Sequence, residues 1–380
     1  MLRSRAGAAI AGVAAIALVL AGCGSKSNGN KNSSAPAGGN QTSAAAPGTT
    51  GAAPASTPAG NSSFLACMVT DTGGINDKSF NQSAWQGMQA AQTDGKAKVS
   101  YLPSTTASDY SKNISALEAK KCGLIVTVGF LMADATTAAA KATPTQHFAI
   151  VDNNGNKANV QGLLFNTAQA GFQAGYLAAG YSKSHKVATY GGQQFPTVTV
   201  YMDGFYEGVQ YYNQKHNAKV QVLGWDEKTQ KGQFAGSFTD QTKGSQIAKN
   251  FMNAGADVIY PVAGGTGLGS AAAVKSAHNG TTVIWVDTDG CISAAQYCSV
   301  FLTTTFKGIQ TAVKTAVENG SGGNFGTADY VGTLANGGTG LSPYHDFASK
   351  VPQSLQDEVT QVGKDIQSGT IKIQSKSQPK

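Results

Sequence analysis

The sequence predicts an α/β protein of two similar lobes, each a parallel sheet covered by helices, with a cleft between them. Three observations predict it. Short apolar runs alternate with stretches of helical spacing along most of the chain. The runs are continuously apolar, as strands buried on both faces are. The part able to fold, about 320 residues, exceeds what one hydrophobic core usually serves.

The chain opens with a basic pair, Arg3 and Arg5, and an apolar run from Ala6 to Ala21. That run is too short to span a bilayer as a mature helix. It ends Leu20-Ala21-Gly22-Cys23, the shape of a bacterial lipoprotein signal whose cleavage leaves Cys23 to carry lipid. Residues 1–22 are expected to be the signal peptide and 23–61 a lipid-anchored disordered linker. The linker is nearly all Ser, Ala, Gly, Asn, Thr and Pro, which cannot bury enough apolar surface to offset its ordering entropy. The expected location is the extracytoplasmic face of a bacterial cell membrane, held there by lipid.

The chain's net charge is +7. Residues 1–61 hold four of its 28 basic residues and no acids, which leaves 24 basic and 21 acidic residues and a charge of +3. No Lys/Arg block remains, so a nucleic-acid partner is not expected. With Cys23 taken by lipid, four cysteines remain. In an oxidising compartment Cys291 and Cys298, close together in a polar segment, are the preferred disulfide; Cys67 and Cys122 are left open. The histidines are scattered and no C-x-x-C spacing occurs, so no metal site is expected.

The expected strands are 64–69, 98–102, 123–128, 147–151, 160–165, 186–191, 219–224, 257–262, 282–287 and 299–304. Helices are expected at 78–93, 109–119, 132–142, 167–182, 200–215, 243–254, 268–278, 307–319 and 351–368. In 78–93, Phe80, Ala84, Trp85, Met88 and Ala91 recur at helical spacing, with Asn76 or Asp77 as the cap. In 200–215, Asp203 is expected in the first turn. Residues 329–348 read as a late hairpin of the second lobe, and the polar stretch after Ile373 as a fraying tail.

Two stretches could carry chemistry. Asp71-Thr-Gly-Gly-Ile-Asn-Asp77-Lys-Ser-Phe80-Asn81 follows the first strand and opens a helix. Open α/β sheets bind ligands past the carboxyl ends of their strands, and this loop offers carboxylates, amides and an aromatic. Phe80 beside Asn81 fits a flat ring whose edge is read by Asn or Asp. Gly264-Gly-Thr-Gly-Leu-Gly269 likewise follows a strand and opens a helix, and Asp287 ends the next strand. The spacing departs from G-x-G-x-x-G by one residue, and no Lys-Ser/Thr follows as in a P-loop. What remains is a glycine loop for close approach and a carboxylate able to accept from vicinal hydroxyls. Lys307 could reach the same hydroxyls or balance Asp287; otherwise it is a solvated lysine. No G-x-S-x-G elbow occurs, and Asp71 with Asp77 reads as capping and ligand contact rather than a glycosidase pair. Neither an enzyme nor a cofactor is expected.

Read in order, several blocks resemble the basic membrane protein family, the PnrA-like substrate-binding lipoproteins of ABC transporters. The blocks are Asp71 to Gln82, His147 to Asp152, Gly191-Gly-Gln with Tyr201 to Gly208, Gly236 to Asp240, Gly255 to Gly267, Val286 to Asp289, and Leu341 to Phe347. Together they span 64 to 373.

The resemblance implies a type I periplasmic-binding-protein fold with two Rossmann-like lobes. Lobe 1 would be 62–165 plus 303–328, lobe 2 would be 166–302 plus 329–373, and 374–380 a tail. It implies capture of a nucleoside, purine favoured, for delivery to a membrane permease. Asp71 and Asn81 would bind the nucleoside, and Phe80 would form one face of a base sandwich. Phe238 is the first choice for the other face, with Phe234 and Phe195 in reserve. Asp134 would sit near the base edge. Gly264 and Gly265 would approach by backbone, and Asp287 would take ribose hydroxyls with Lys307 nearby. Gly224 to Ala235 and Cys291 to Cys298 depart from the family pattern as insertions. The alternatives are a surface sensor or interaction lipoprotein, or the same fold binding a sugar or other small polar ligand through Asp71, Asp287 and Trp225.

Overall fold

The computed structural model of the chain describes residues 62–379. The expected signal, Cys23 and the linker lie outside the described residues. Lobe 1 opens with β1 (Leu65–Thr72), α1 (Phe80–Thr93), β2 (Lys98–Ser104), α2 (Tyr110–Ala119), β3 (Leu124–Val128), α3 (Ala133–Ala142), β4 (His147–Val151) and β5 (Val160–Phe165). The chain then builds lobe 2 from α4 (Ala168–Tyr181), β6 (Lys186–Gly191), α5 (Pro196–His216) and β7 (Gln221–Leu223). A small ribbon follows, β8 (Trp225–Asp226) with β9 (Lys231–Gly232). Next come α6 (Gln241–Asn253), β10 (Val258–Val262), α7 (Thr266–Ala277), β11 (Thr282–Asp287), the short α8 (Gly290–Ser293) and β12 (Phe301–Lys307). The chain returns to lobe 1 for α9 (Ile309–Ser321) and β13 (Tyr330–Gly332), and ends on lobe 2 with β14 (Thr339–Leu341) and α10 (Gln353–Gln367).

Each lobe has a six-stranded sheet. The orders are β13-β5-β4-β3-β1-β2 and β14-β12-β11-β10-β6-β7, parallel throughout except for β14 against β12. The apolar strands explain the layers. In lobe 1, alternate residues of β1 and β3 face opposite ways. Ala66, Met68, Leu124 and Val126 pack with α1 and α9, while Cys67, Val69 and Ile125 pack with α2 and α3. Lobe 2 repeats this: Val258 and Tyr260 face one core, Ile259 and Trp285 the other. Burial on both faces is why these strands are apolar throughout.

Disulfides join Cys291 to Cys298 and Cys67, on β1, to Cys122, just before β3. Asp289, Cys291 and His345 bring ligand-type atoms within 4.8 Å of one another, but Cys291 is held in its disulfide.

The structure departs from the sequence expectation in four places. The segment 329–348 is not a hairpin. β13 pairs in parallel with β5 in lobe 1, whereas β14 pairs with β12 in lobe 2. The stretch 303–307 completes β12 and so belongs to lobe 2, because residues 295–300 are taken up by a 3-10 turn beside the Cys291–Cys298 bridge. The helix expected from residue 200 begins at Pro196, whose missing N–H suits a first helical turn. Asp203 therefore lies two turns in, fully buried, rather than at a helix start. Finally, the stretch after Ile373 does not fray: Ser375 is buried, and Glu207 and Asp203 accept hydrogen bonds from it.

Candidate ligand site in the interlobe cleft

The carboxyl ends of β1, β3 and β4 face those of β10, β11 and β12 across a cleft of about 670 Å³. Parallel strands all end on one side of a sheet, so the loops after them gather there. From lobe 1 the cleft receives Asp71, Phe80, Asn81, Phe130 and Asp152. From lobe 2 it receives Phe195, Tyr201, Phe238, Gly264, Gly265, Asp287 and Lys307.

The lobe 1 wall is organised by Asp77 and Asp71. The Asp77 carboxylate accepts from the backbone N–H groups of Ser79, Asn81 and Gln82, satisfying the free donors at the start of α1. This fixes the turn that presents Phe80 and Asn81. Asn81 Nδ2 donates to Asp71 Oδ1 at 2.8 Å. Burial pushes the Asp71 carboxyl up to about 8, against the pull of that hydrogen bond, which favours its protonated form at neutral pH. Asn81 Oδ1 is buried without a partner among the described residues. The pair thus offers an acid proton and an open amide acceptor side by side. Gly129 follows β3 at φ 112°, and a Cβ there would strike the Asp71 carboxylate.

The cleft also holds a charged knot. Lys307 is buried, its Nζ 2.7 Å from Asp152 Oδ2 and 3.9 Å from Asp287 Oδ1. Ser79 Oγ donates to Asp287 Oδ2 at 2.5 Å and Tyr201 OH to Oδ1 at 3.0 Å. Ser79 and Asp152 come from lobe 1, Asp287 and Lys307 from lobe 2, so polar bonds cross the cleft twice. Burial pushes the Asp152 carboxyl up, and the Lys307 ammonium pulls against it. Lys307 also lies 5.0 Å from the centre of the Phe80 ring and 5.3 Å from that of Tyr201.

The aromatic residues divide clearly. Phe80 lines the lobe 1 side, and Phe195 and Phe238 line lobe 2 with their rings 6.4 Å apart. Phe130 of lobe 1 meets Phe195 at 5.2 Å. Phe234 packs edge-on against Trp225 and does not line the cleft. Trp225 is itself buried with its Nε1 on Asp203, so a sugar ligand has no access to it.

Of the nine first-choice ligand residues named from sequence, eight line this cleft: Asp71, Phe80, Asn81, Phe238, Gly264, Gly265, Asp287 and Lys307; the reserve aromatic Phe195 and the cap Asp77 line it as well. Asp134 does not. It sits exposed in the first turn of α3, a position that favours an acid for the helix dipole alone. Lys307 closes β12 rather than opening a helix. Asp152 and Tyr201 were missed as site residues. A signal for Asp152 is present as an internal repeat: His147-Phe-Ala-Ile-Val-Asp152 and Thr282-Val-Ile-Trp-Val-Asp287 end equivalent strands of the two lobes. Both aspartates adopt the left-handed region, at φ 67° and 68°, and both turn to Lys307.

A family model described as ABC transporter substrate-binding protein, PnrA-like (Bmp), matches residues 64–377. The chain belongs to this family. The ABC transporter nucleoside-binding protein BmpA of Lactococcus lactis subsp. cremoris is 32% identical over 331 residues, 82% of this chain and 89% of that protein. A CD4+ T-cell-stimulating antigen of Listeria monocytogenes is 32% identical over 335 residues, 82% and 88% of the two chains. A solute-binding protein of an Aeropyrum pernix ABC transporter system superposes with a TM-score of 0.71 at 24% identity, covering 81% of this chain and 92% of that one. That likeness concerns the fold, the two-lobed type I periplasmic-binding architecture. The PnrA-like family is one of extracytoplasmic substrate-binding proteins, which take a small molecule and present it to a membrane permease. Among the described residues no helix is long and apolar enough to cross a membrane.

Proposed function

We propose that this PnrA-like protein is a lipid-anchored receptor that captures a nucleoside, purine favoured, and hands it to its permease. One observation carries the reading. The cleft is lined by an acid beside an open amide acceptor, Asp71 and Asn81, and by hydroxyl-binding groups, Asp287 and Lys307. Aromatic rings from both lobes, Phe80 and Phe238, line it too. A base needs an edge reader and a flat apolar face; a ribose needs acceptors for its vicinal hydroxyls. Asp152, Asp287 and Asp77 against the single Lys307 leave the cleft acidic, which favours a nucleoside over its phosphate. The Lactococcus relative's name supports the same ligand class. Bonds that cross between the lobes give a ligand a means of favouring closure.

A thermal-shift screen tests this. Adenosine, guanosine or inosine should raise the melting temperature by mass action, by about 2.7 kcal/mol of stability at a hundredfold excess over Kd. Silence across all common nucleosides at millimolar concentration rejects the ligand class.

A further inference from the structure

The last described segment, Ile373–Pro379, is polar and carries no pattern that predicts order. Even so it is bonded along its length to α5 and to a crossover between the lobes. The backbone N–H groups of Gln374 and Ser375 donate to the Glu207 carboxylate at 2.8–2.9 Å. Ser375 Oγ donates to Asp203 Oδ2 at 2.6 Å. Ser377 Oγ meets Thr199 Oγ1 at 2.9 Å. Gln378 Oε1 accepts from Asn166 Nδ2 at 3.0 Å. Asn166 stands where the chain leaves β5 for lobe 2, and its N–H donates to Gly332 O at the end of β13.

Asp203 is the node of this arrangement. It is fully buried, and among the described residues no cation pairs with it. Its Oδ1 accepts from Trp225 Nε1 and Gln230 Nε2, both at 3.0 Å and both from the ribbon region that the sequence marks as an insertion. Its Oδ2 takes the Ser375 hydroxyl. A buried carboxylate is costly unless its lone pairs are satisfied, and here ribbon and terminal segment supply the donors together. Asp203 lies just beyond Thr197, Val198 and Tyr201, the part of α5 that walls the cleft.

We propose that residues 373–379 are a strap that positions the α5 wall of the cleft against the interlobe crossover, with Ser375 and Asp203 as positioning residues. No residue of the strap lines the cleft; it acts through α5 at one end and Asn166 at the other. Only its effect on affinity rests on the nucleoside reading.

Hydrogen exchange and guanosine titration on the full chain test it, comparing Ser375→Ala, Ser375→Thr and a chain ended after Ile373. Ser375→Ala should speed exchange of the amides at 197–203 and weaken guanosine binding, each about tenfold, the scale of one hydrogen bond to a charged group. Ser375→Thr keeps the hydroxyl and should restore both. If Ser375→Ala and the shortened chain free only the amides of 374–379, with exchange at 197–203 unchanged, the segment merely fastens itself and the strap is overturned. Exchange is measured without nucleoside. A wild type that ignores guanosine would therefore sink the ligand reading while the exchange result still decides the strap.

Discussion

Phe80 and Asp71 set the terms at the scale of single residues. Phe80 is held at the start of α1 by the Asp77 cap, half-buried and lining the cleft. If a base stacks on it, Phe80→Ala should weaken nucleoside affinity by about 1–3 kcal/mol, the range for base–aromatic stacking, with the fold intact by circular dichroism. Unchanged affinity would return Phe80 to the core. Asp71 makes a different prediction. Its folded pKa, about 8, lies above its unfolded value near 4, so the native state keeps a proton that the unfolded chain releases. Its contribution to stability is therefore full below pH 4 and is lost as pH rises through 8. Asp71→Asn should flatten the fall in melting temperature between pH 5 and pH 8; an unaltered profile would mean that Asp71 is ionised in the native cleft. The Asp71–Asn81 loop was legible from sequence because a strand, a polar loop and a helix start are contiguous there. For Asp152 only the strand-end repeat is legible, not its role, because its partner Lys307 lies 155 residues away.

At the scale of elements, α4 and α5 approach each other backbone to backbone. Gly171 and Gly175 on α4 interleave with Gly204 and Gly208 on α5, and a Cβ at Gly175 would collide with Phe205 O. Backbone meets backbone there, so no side chain can yield. Gly175→Ala should lower stability by about 1–3 kcal/mol, the usual cost of overpacking, read as a drop in denaturation midpoint. A neutral result would mean that the two helices can move apart freely. The sequence displayed α5 as a helix but not its first turn, since Pro196 and Phe195 look like loop residues until the N1 preference of proline is weighed. β13 and β14 were misread for a clearer reason. Two short runs around a glycine turn resemble a hairpin locally, and only the long-range partners β5 and β12 send them to different lobes.

At the scale of the whole molecule, the two lobes are variations on one strand order, and their equivalent fourth strands end in Asp152 and Asp287. Lys307 stands between these aspartates, and Ser79 reaches across to Asp287, so the lobes are coupled at the base of the cleft by polar bonds. A ligand that adds contacts to both walls would favour the closed arrangement by its differential affinity for it. The two-lobed fold was readable because continuous apolar strands alternate with helices. The order of the terminal segment was not, because it is tied by the buried carboxylates of α5 rather than by any apolar pattern of its own. Isothermal calorimetry of the purified protein with inosine, inosine monophosphate and ribose shows whether a nucleoside occupies this cleft. One saturable site is expected for inosine, weaker or no binding for the monophosphate, and none for ribose alone; binding of ribose with silence toward inosine and the other nucleosides would overturn the nucleoside reading.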